Sequence, residues 1–191
     1  YRHLIDSEYF NQHKFSTAMA STVTLFRNIV ETATPFHRPV DVVLQRIKEG
    51  ATKDLVKRIR AERNKTERNE LKKGLPAICF SGTFNKRNDK SLVEHSGLIC
   101  LDFDGYDKKK ELISHKENLT KDPYVYAAFV SPSGNGLKVL VRVPADPDNH
   151  VNYFNALQKH FDSPHFDKTC KNLSRVCYES FDPVLYVNKN A

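Results

Sequence analysis

The spacing of apolar residues in the first half of the chain predicts two strands and two helices. Residues 1–20 show no clear period, and no element is predicted there. The β-rich run at 22–26 and the apolar run at 77–80 each predict a strand. One helix is predicted from Pro39 to Gly50, because proline is tolerated in a first helical turn and glycine ends a helix. A second helix is predicted over 52–73, where neither residue type intervenes.

From Gly97 onward, strands and helices alternate more clearly. The order of the predicted elements is β-α-β-β-α-β, as in RRM-like (ferredoxin-like) sheets. This order predicts an α+β fold in which four antiparallel strands carry both helices on one face. Residues 97–191 are expected to form this core, and residues 1–96 an N-terminal α/β extension with basic helices and a strand packed on it. The predicted strands are 98–104, 125–130, 137–143 and 173–178, and the helices are 108–118 and 149–161.

Composition restricts the class of protein. The 191 residues are enough for one large domain, and 39% hydrophobic residues allow a packed core. No apolar run reaches the roughly 18 residues of a membrane helix, and no signal peptide opens the chain. The four cysteines form no C-x-x-C pair, which favours buried thiols in a reducing, cytoplasmic compartment. Because the chain starts with Tyr1 rather than Met, we expect a fragment of a longer polypeptide.

The formal net charge of +7 is concentrated in the first half of the chain. Residues 1–97 hold 18 Lys and Arg against 11 Asp and Glu, whereas residues 98–191 hold 12 against 12. The predicted helix over 52–73 carries nine of the basic residues. Such a helix has either a simply solvated face or a surface for a phosphate backbone. The candidate nucleic-acid contacts are Lys57, Arg60, Arg63 and, further along the chain, Arg142.

Two Asp-x-Asp triplets occur, where about one is expected by chance from 13 aspartates. The triplet at 146–148 precedes a predicted helix, and helix capping accounts for it. Asp102 and Asp104 instead end an apolar strand, and strand alternation points both carboxylates to one face, about 7 Å apart. Such a pair favours a site for a hard divalent cation such as Mg²⁺. The simpler alternative is the solvated end of a strand.

The turn at 131–136 contains two glycines and two serines and is followed by Lys138. Glycines let backbone N–H groups approach an anion closely, and a lysine adds a point charge for a phosphate. By alternation, Lys138 and Arg142 share one face of the predicted strand. If the strands pair as expected, Lys138 faces the same side as Asp102. A plain hairpin turn around the Asn-Gly pair is the alternative.

The C-terminal segment adds two candidates. Asp167 could supply a third carboxylate, and Arg175, on the predicted strand 173–178, could hold a phosphate or a carboxylate with two hydrogen bonds. Asp182 precedes a proline and is interpreted as a turn former. The histidines lack the spacing of metal ligands and are interpreted as surface or core residues; they are His150, His160 and His165.

Taken together, several segments resemble the VirE N-terminal-domain family, which looks like a distant branch of the archaeo-eukaryotic primase and primase-polymerase superfamily. The resemblance covers roughly residues 75–188 well and the first 70 residues loosely. The segments that carry it are Leu-Pro-Ala at 75–77, Ser-Gly-Thr-Phe at 81–84, the run from 96 to Asp104, the turn and lysine at 131–138, Asp167, and Leu-Ser-Arg at 173–175.

The resemblance implies roles for individual residues. The first superfamily motif, hydrophobic-Asp-hydrophobic-acid, matches Asp102 and Asp104, and a third, acidic motif matches Asp167. These three residues would be catalytic ligands of Mg²⁺ or Mn²⁺. Lys138 stands where the superfamily has the histidine of a Ser-x-His motif, so a cation stays beside the triphosphate while the imidazole is lost. The implied nucleotide contacts are Ser131, Ser133, Gly134, Gly136, Lys138 and Arg175.

Two functions from different classes remain open. The first is a primase-polymerase-type nucleotidyltransferase that acts on nucleoside triphosphates and single-stranded DNA or RNA, in replication or in a mobile element. The second is a catalytically inactive module that recruits single strands to a fused or associated helicase, and the exchange at Lys138 supports it. A nucleotide-sugar transferase with an Asp-x-Asp motif would need a long parallel domain before the motif, and the predicted element order disfavours it.

Overall fold

The fold is that of a computed structural model, which describes residues 21–191; the first twenty residues, for which the sequence predicts no element, lie outside the described residues. The strands are β1 (Thr22–Phe26), β2 (Phe36–Pro39), β3 (Ala77–Cys79), β4 (Gly82–Phe84), β5 (Leu92–His95), β6 (Leu98–Asp104), β7 (Val125–Val130), β8 (Gly136–Arg142), β9 (Cys177–Tyr178) and β10 (Tyr186–Val187). The helices are α1 (Val40–Glu49), α2 (Lys53–Ala61), α3 (Lys65–Lys72), α4 (Lys109–Leu119) and α5 (His150–Phe161).

The described strands form three antiparallel sheets. The order of the first sheet is β2-β1-β3-β9, that of the second is β10-β7-β8-β6, and β4 pairs with β5 in a small third sheet. The second sheet contains the strands predicted over 98–104, 125–130 and 137–143, within one residue at each end. The result is a mixed α/β fold built on antiparallel sheets.

The last strand corrects the predicted topology. The strand predicted over 173–178 is reduced to β9, which pairs with β3 in the first sheet and not with the core strands. The fourth strand of the second sheet is instead β10, which pairs with β7. Arg175 therefore lies in a loop before β9. A short apolar run predicts a strand, but which other strand it pairs with depends on the path of the chain between the two strands.

The second sheet is covered on both faces. On one face, Leu112 of α4 and Phe154 of α5 pack in the same cluster as Leu101 and Val139 of the sheet. The expectation of both helices on one face is thus confirmed. On the other face, Leu140 packs in a cluster with Val43 and Ile47 of α1 and with Ile78 of the first sheet. The end of this second face is where Asp102 and Lys138 emerge.

The basic segment forms two helices rather than the single helix predicted over 52–73. The chain leaves the helical conformation at Glu62, and Asn64 caps the second helix by accepting hydrogen bonds from the N–H groups of Thr66 and Glu67. An asparagine side chain that bonds to nearby N–H groups competes with the helix interior and favours a new helix start.

Among the described residues, no helix has the length and hydrophobicity that a membrane span requires. All four cysteines are free thiols, as expected from their spacing. Cys79, Cys170 and Cys177 are buried, and Cys100 is partly buried.

Candidate functional site

The candidate site lies where β6 and β8 run side by side at the end of the second sheet. Asp102 is directly opposite Lys138 in the register of this pair, and Asp104 is opposite Gly136. Asp102 and Lys138 form an ion pair, and their side chains are only 12% and 13% exposed. The sequence expectation that a lysine faces the first aspartate is therefore confirmed, because the strands pair in the register that alternation required.

Asp104 lies above the backbone of Gly136. A Cβ atom at Gly136 would overlap the carboxylate of Asp104 and lie 2.9 Å from the carbonyl oxygen of Phe103 and 3.2 Å from the hydroxyl of Ser131. Only glycine leaves room for the aspartate at this position. The glycine of the turn thus admits the second carboxylate to the site.

Asp167 joins the two aspartates through a short stretch of backbone pairing. Phe166 forms a β-bridge with Phe103, the N–H of Asp167 donates to the carbonyl of Asp102 (2.8 Å), and the N–H of Asp104 donates to the carbonyl of His165 (2.8 Å). The rings of Phe103 and Phe166 meet edge to face, with centroids 5.3 Å apart. This aromatic contact in the core fixes the third carboxylate beside the first.

The charges confirm that the carboxylates are neighbours. The pKa of Asp104 is raised, first by burial and then by the negative charge of Asp102, with a smaller contribution from Asp167. Lys138 and Lys72 oppose this rise. Like charges within several ångströms disfavour the ionised form, so the raised pKa indicates a site that would gain from an added cation.

Lys138 is held as a cation. Burial alone would lower its pKa, but the carboxylate of Asp102 reverses this effect and the pKa of Lys138 is raised above its ordinary value. The ammonium neutralises one oxygen of Asp102. The other oxygen, Oδ1, is buried and has no hydrogen-bond partner among residues 21–191.

The donor set fits a hard divalent cation. Asp102, Asp167 and Cys170 each offer one ligand atom, and these atoms lie within 4.8 Å of one another. The thiol of Cys170 donates to Oδ2 of Asp167 (3.0 Å), and its pKa is raised to about 12 by burial and by Asp167. It stays a neutral thiol and a poor ligand for a hard cation. The carboxylate oxygens, with the unpartnered Oδ1 of Asp102, are the ligands that such a metal would meet.

The turn at 131–136 is a tight hairpin turn beside Asp104. The N–H of Ser131 donates to the carbonyl of Gly136 (2.8 Å), and Gly134 adopts a φ of 80°. Ser133 is partly buried at its tip. The hydroxyl of Ser131 is buried without a hydrogen-bond partner among the described residues. The predicted turn is confirmed, and it brings an unsatisfied hydroxyl to the edge of the site.

Arg175 reaches the site from its loop. Its guanidinium lies 3.6 Å from Oδ2 of Asp167, and its side chain is 40% exposed. The pKa of Asp167 is lowered: burial works against this, but the hydrogen bonds from Cys170 and Thr169 and the charge of Arg175 outweigh it. A small pocket next to this pair is lined by Phe80, Ser81, Ile99, Cys100, His150, Cys170, Asn172 and Arg175.

The four predicted nucleic-acid contacts lie in different surroundings. Lys57 and Arg63 are exposed on and just after α2. Arg60 instead donates to the carbonyls of Ser131 (3.1 Å) and Phe181 (2.9 Å), so it holds the turn in place. Arg142 lies over the ring of Tyr126, 4.2 Å from its centroid. Within residues 21–191, Lys57 and Arg63 form no ion pair or side-chain hydrogen bond.

The remaining sequence interpretations concern structural groups. Asp182 accepts from the N–H of Val184 (3.1 Å), as a turn former does, and it also forms a buried ion pair with Lys116 (2.7 Å). His150 is buried against His95, with 3.0 Å between Nδ1 and Nε2. The other two histidines pair with acidic side chains: Nε2 of His160 lies 2.5 Å from Asp122, and Nε2 of His165 lies 3.2 Å from Glu111.

Sequence reasoning missed one cation of the site. Lys72, at the end of α3, interacts electrostatically with Asp102, Asp104 and Lys138. It was counted only as part of the basic segment. A signal was available, because Lys72 and Arg68 are four residues apart and share one helix face.

Comparisons with known proteins give one family and one similar structure. The family model "BT4734-like, N-terminal domain" matches residues 70–186. The AEP domain of the primase-polymerase of cyanophage S-2L aligns with 12% identity and a TM-score of 0.45, over 90% of this chain and 83% of that chain. No curated protein matches the chain. Because the family model covers more than half of the sequence, the chain belongs to the BT4734-like N-terminal domain family, the VirE N-terminal-like family.

Proposed function

We propose that the chain is a nucleotidyltransferase domain of the primase-polymerase type, which adds nucleotides to a strand paired with a single-stranded template. The observation that carries this proposal is that Asp102, Asp104 and Asp167 lie side by side at one end of the second sheet. Two of them come from β6 and the third from a distant loop. Asp102 and Asp167, with Cys170, offer ligand atoms within 4.8 Å of one another, whereas Asp104 is exposed and lies two residues further along β6. Carboxylate oxygens this close together favour a cation site over a solvated strand end.

Asp102, Asp104 and Asp167 would hold Mg²⁺ or Mn²⁺, which, when bound, supplies Lewis-acid stabilisation for the attack of a 3′-hydroxyl on an α-phosphate. Burial of Asp102 and the backbone bond from Asp167 keep these oxygens in fixed positions. Such preorganisation avoids reorganising the site during reaction. Catalysis by this chain would then be positioning and charge stabilisation.

The cations around the carboxylates would bind the nucleotide. Lys138 neutralises one oxygen of Asp102, and Arg175 lies beside Asp167 with two-fifths of its side chain exposed. A guanidinium suits a phosphate group because it can donate two parallel hydrogen bonds. The turn with Ser133 and Gly134 would close around the phosphates, as the resemblance to the primase superfamily implies.

Incorporation of labelled nucleotide on primed and unprimed single-stranded templates, with Mg²⁺ or Mn²⁺, tests the proposal. Asp102→Asn and Asp104→Asn should abolish incorporation, because each removes a negatively charged ligand while keeping the side-chain shape. Asp148→Ala is the matched control, since Asp148 is an exposed aspartate of the other Asp-x-Asp triplet. The proposal is wrong if the wild-type chain incorporates nothing on any template, or if the Asp102 and Asp104 variants match it.

A second function, a binding module without turnover, is favoured by the ion pair itself. The ammonium of Lys138 already neutralises Asp102, as a bound metal would. In that case single strands should bind with strong salt dependence, and Asp104→Asn should not weaken their binding. Incorporation by the wild-type chain excludes this alternative.

Four finer aspects belong to the same proposal. The unit from β6 to α5 would correspond to an RRM-like core, in which β10 replaces the usual fourth strand. The family would then be a distant branch of the primase superfamily, and the chain would act together with a helicase. We further propose that residues 1–96 form an extension that packs on the catalytic unit at 97–191. The β-α-β-β order supports the RRM-like core. The cluster of apolar side chains between the two sheets supports the packing of the extension on the catalytic unit.

A further inference from the structure

Two cations of α3 lie at the candidate site without a role in the fold. Lys72 is partly buried and ends the helix, and Arg68 precedes it by one turn. Residues four apart on a helix are neighbours on one face. Both side chains therefore lie on the same side of α3, and Lys72 is close enough to Asp102 and Asp104 to interact with them electrostatically.

The charges around Lys72 show which groups lie next to this side of α3. Its pKa is lowered, first by burial and then by the positive charges of Arg68 and Lys138, whereas Asp104 and Asp102 act in the opposite direction. Lys72 thus lies within electrostatic range of two other cations and of two of the aspartates. Like charges repel at this separation, and an added anion would relieve the repulsion.

Neither cation of α3 has an ion-pair partner among the described residues. Nε of Arg68 is buried and donates to no acceptor within residues 21–191. By contrast, the next lysine along the chain, Lys73, pairs with Glu70 at 2.7 Å. A guanidinium nitrogen removed from water without a partner is costly, and native proteins leave few such groups unpaired. Arg68 is thus suited to an acceptor that comes from outside the chain.

We propose that Arg68 and Lys72 form an anion site for the polyphosphate group of a nucleotide, beside Asp102 and Asp104. This inference rests on the proposed function, since it names the face that receives the substrate of the same site. Arg68 would bind phosphate oxygens through its planar fork, and Lys72 would act as a point charge nearer the carboxylates.

Position favours a nucleotide over the backbone of a strand. The charge of Lys72 acts directly on Asp102 and Asp104, so an anion bound there lies next to the candidate metal ligands. Polyphosphate groups are commonly shared between a bound divalent ion and protein cations. The exposed cations Lys57 and Arg63, on and after α2, are better placed to follow an extended strand.

Binding without turnover tests the inference. Isothermal titration with inorganic tripolyphosphate and with a non-hydrolysable ATP analogue, both with Mg²⁺, is compared with fluorescence anisotropy of a labelled single-stranded 20-mer. Arg68→Ala and Lys72→Ala should each weaken the binding of both phosphate ligands about tenfold, because each removes one charge-assisted hydrogen bond. Lys72→Arg should restore most of the affinity. Lys65→Ala, an exposed lysine at the start of the same helix, is the matched control and should stay within about twofold of wild type.

Three outcomes would overturn the inference. It is overturned if the wild-type chain binds neither phosphate ligand, or if both alanine variants bind them as the wild type does. It is also overturned if the variants lose affinity only for the 20-mer, because the cations then contact a strand. A wild-type chain that binds nucleotide through Arg68 and Lys72 yet incorporates none would contradict the proposed function alone. Circular dichroism of each variant shows whether the fold is retained.

Discussion

Asp102 and Lys138 face each other in register across β6 and β8 and form an ion pair in which both side chains are almost nine-tenths buried. Removing two charges from water is costly, and the pair is stable only while each charge has its partner. The same lysine therefore has two roles in the present proposal. It completes the fold of the sheet end, and it fixes the charge of the first candidate metal ligand.

Loss of Lys138 should destabilise the chain strongly. Lys138→Met leaves the carboxylate of Asp102 buried and unpaired, which should lower the free energy of unfolding by about 3 kcal/mol. The double variant with Asp102→Asn should recover most of this loss, because no uncompensated charge remains. Urea unfolding at pH 7 measures both. Equal stability of wild type and Lys138→Met would show that the pair does not stabilise the fold.

A divalent cation should stabilise the Lys138→Met variant more than the wild type. In the variant a metal would supply the positive charge that Asp102 has lost, whereas in the wild type the ammonium already supplies it. Melting temperatures with and without Mn²⁺ measure the difference, since a ligand that binds only the folded state raises its stability. K⁺ at equal ionic strength is the control for simple screening. An identical shift in both proteins would argue against a cation site at Asp102.

Gly136→Ala should disturb the site strongly, although the substitution adds only one methyl group. The added Cβ overlaps the carboxylate of Asp104 and approaches Phe103 and Ser131, so either the aspartate or the turn must move. Overpacking of this kind costs about 1–3 kcal/mol, and nucleotide incorporation should fall with it. Gly74→Ala is the control, because its Cβ would meet its nearest atoms at an ordinary 3.4 Å. Thermal unfolding and incorporation assays on both variants test the prediction, which fails if they behave alike.

A change at Arg60 should affect the stability of the fold, whereas a change at Lys57 should affect single-strand binding, although both residues lie on α2. Arg60→Ala removes hydrogen bonds to the carbonyls of Ser131 and Phe181 and should cost about 2 kcal/mol of stability. Lys57→Ala should leave stability unchanged and reduce the salt slope of single-strand binding by about 0.7 per lost phosphate contact. Urea unfolding and strand binding at several salt concentrations measure the two effects. If Lys57→Ala lowered the stability and Arg60→Ala reduced the salt slope instead, the structural and binding roles assigned to these two residues would be wrong.

Stability should fall in acid because of the buried pair His95 and His150. The N–H of Gly97 donates to Nδ1 of His95, so Nε2 of His95 carries the hydrogen and donates to His150. Burial lowers the pKa of each ring from its ordinary value of 6.5 to about 4, and for His150 the charge of His95 adds to the effect. The unfolded chain then binds more protons between these values, so stability is full above pH 6.5 and is lost as the pH falls toward 4.

Urea unfolding at several pH values between 7 and 4.5 measures this loss. His150→Gln should make the free energy of unfolding less dependent on pH, since one of the two buried imidazoles is removed. His37→Gln changes an exposed histidine on β2 and should keep the wild-type dependence. A wild-type chain whose stability is flat over this range would contradict the assignment.

Local pattern predicted the longer strands well and several of the short ones poorly, β10 of the second sheet among them. β6, β7 and β8 are long and strongly apolar, and their predicted limits are confirmed within one residue. β2, β4 and β5 were not predicted, because each has only three or four residues and no sustained alternation. The break at Asn64 was missed for a different reason. Asparagine is a weaker helix signal than proline or glycine, and it acts here through capping.

The sequence alone determined that Asp102 and Asp104 share one face of a strand, because side chains two residues apart on a strand point the same way. It also determined the glycine-rich turn and the lysine after it. Only the tertiary structure decided that Asp167, Arg175 and the cations of α3 join them. Those contacts depend on backbone pairing and core packing between segments far apart in the chain, such as the packing of Phe103 on Phe166. The spacing of apolar residues within one segment cannot predict which distant segment it will contact.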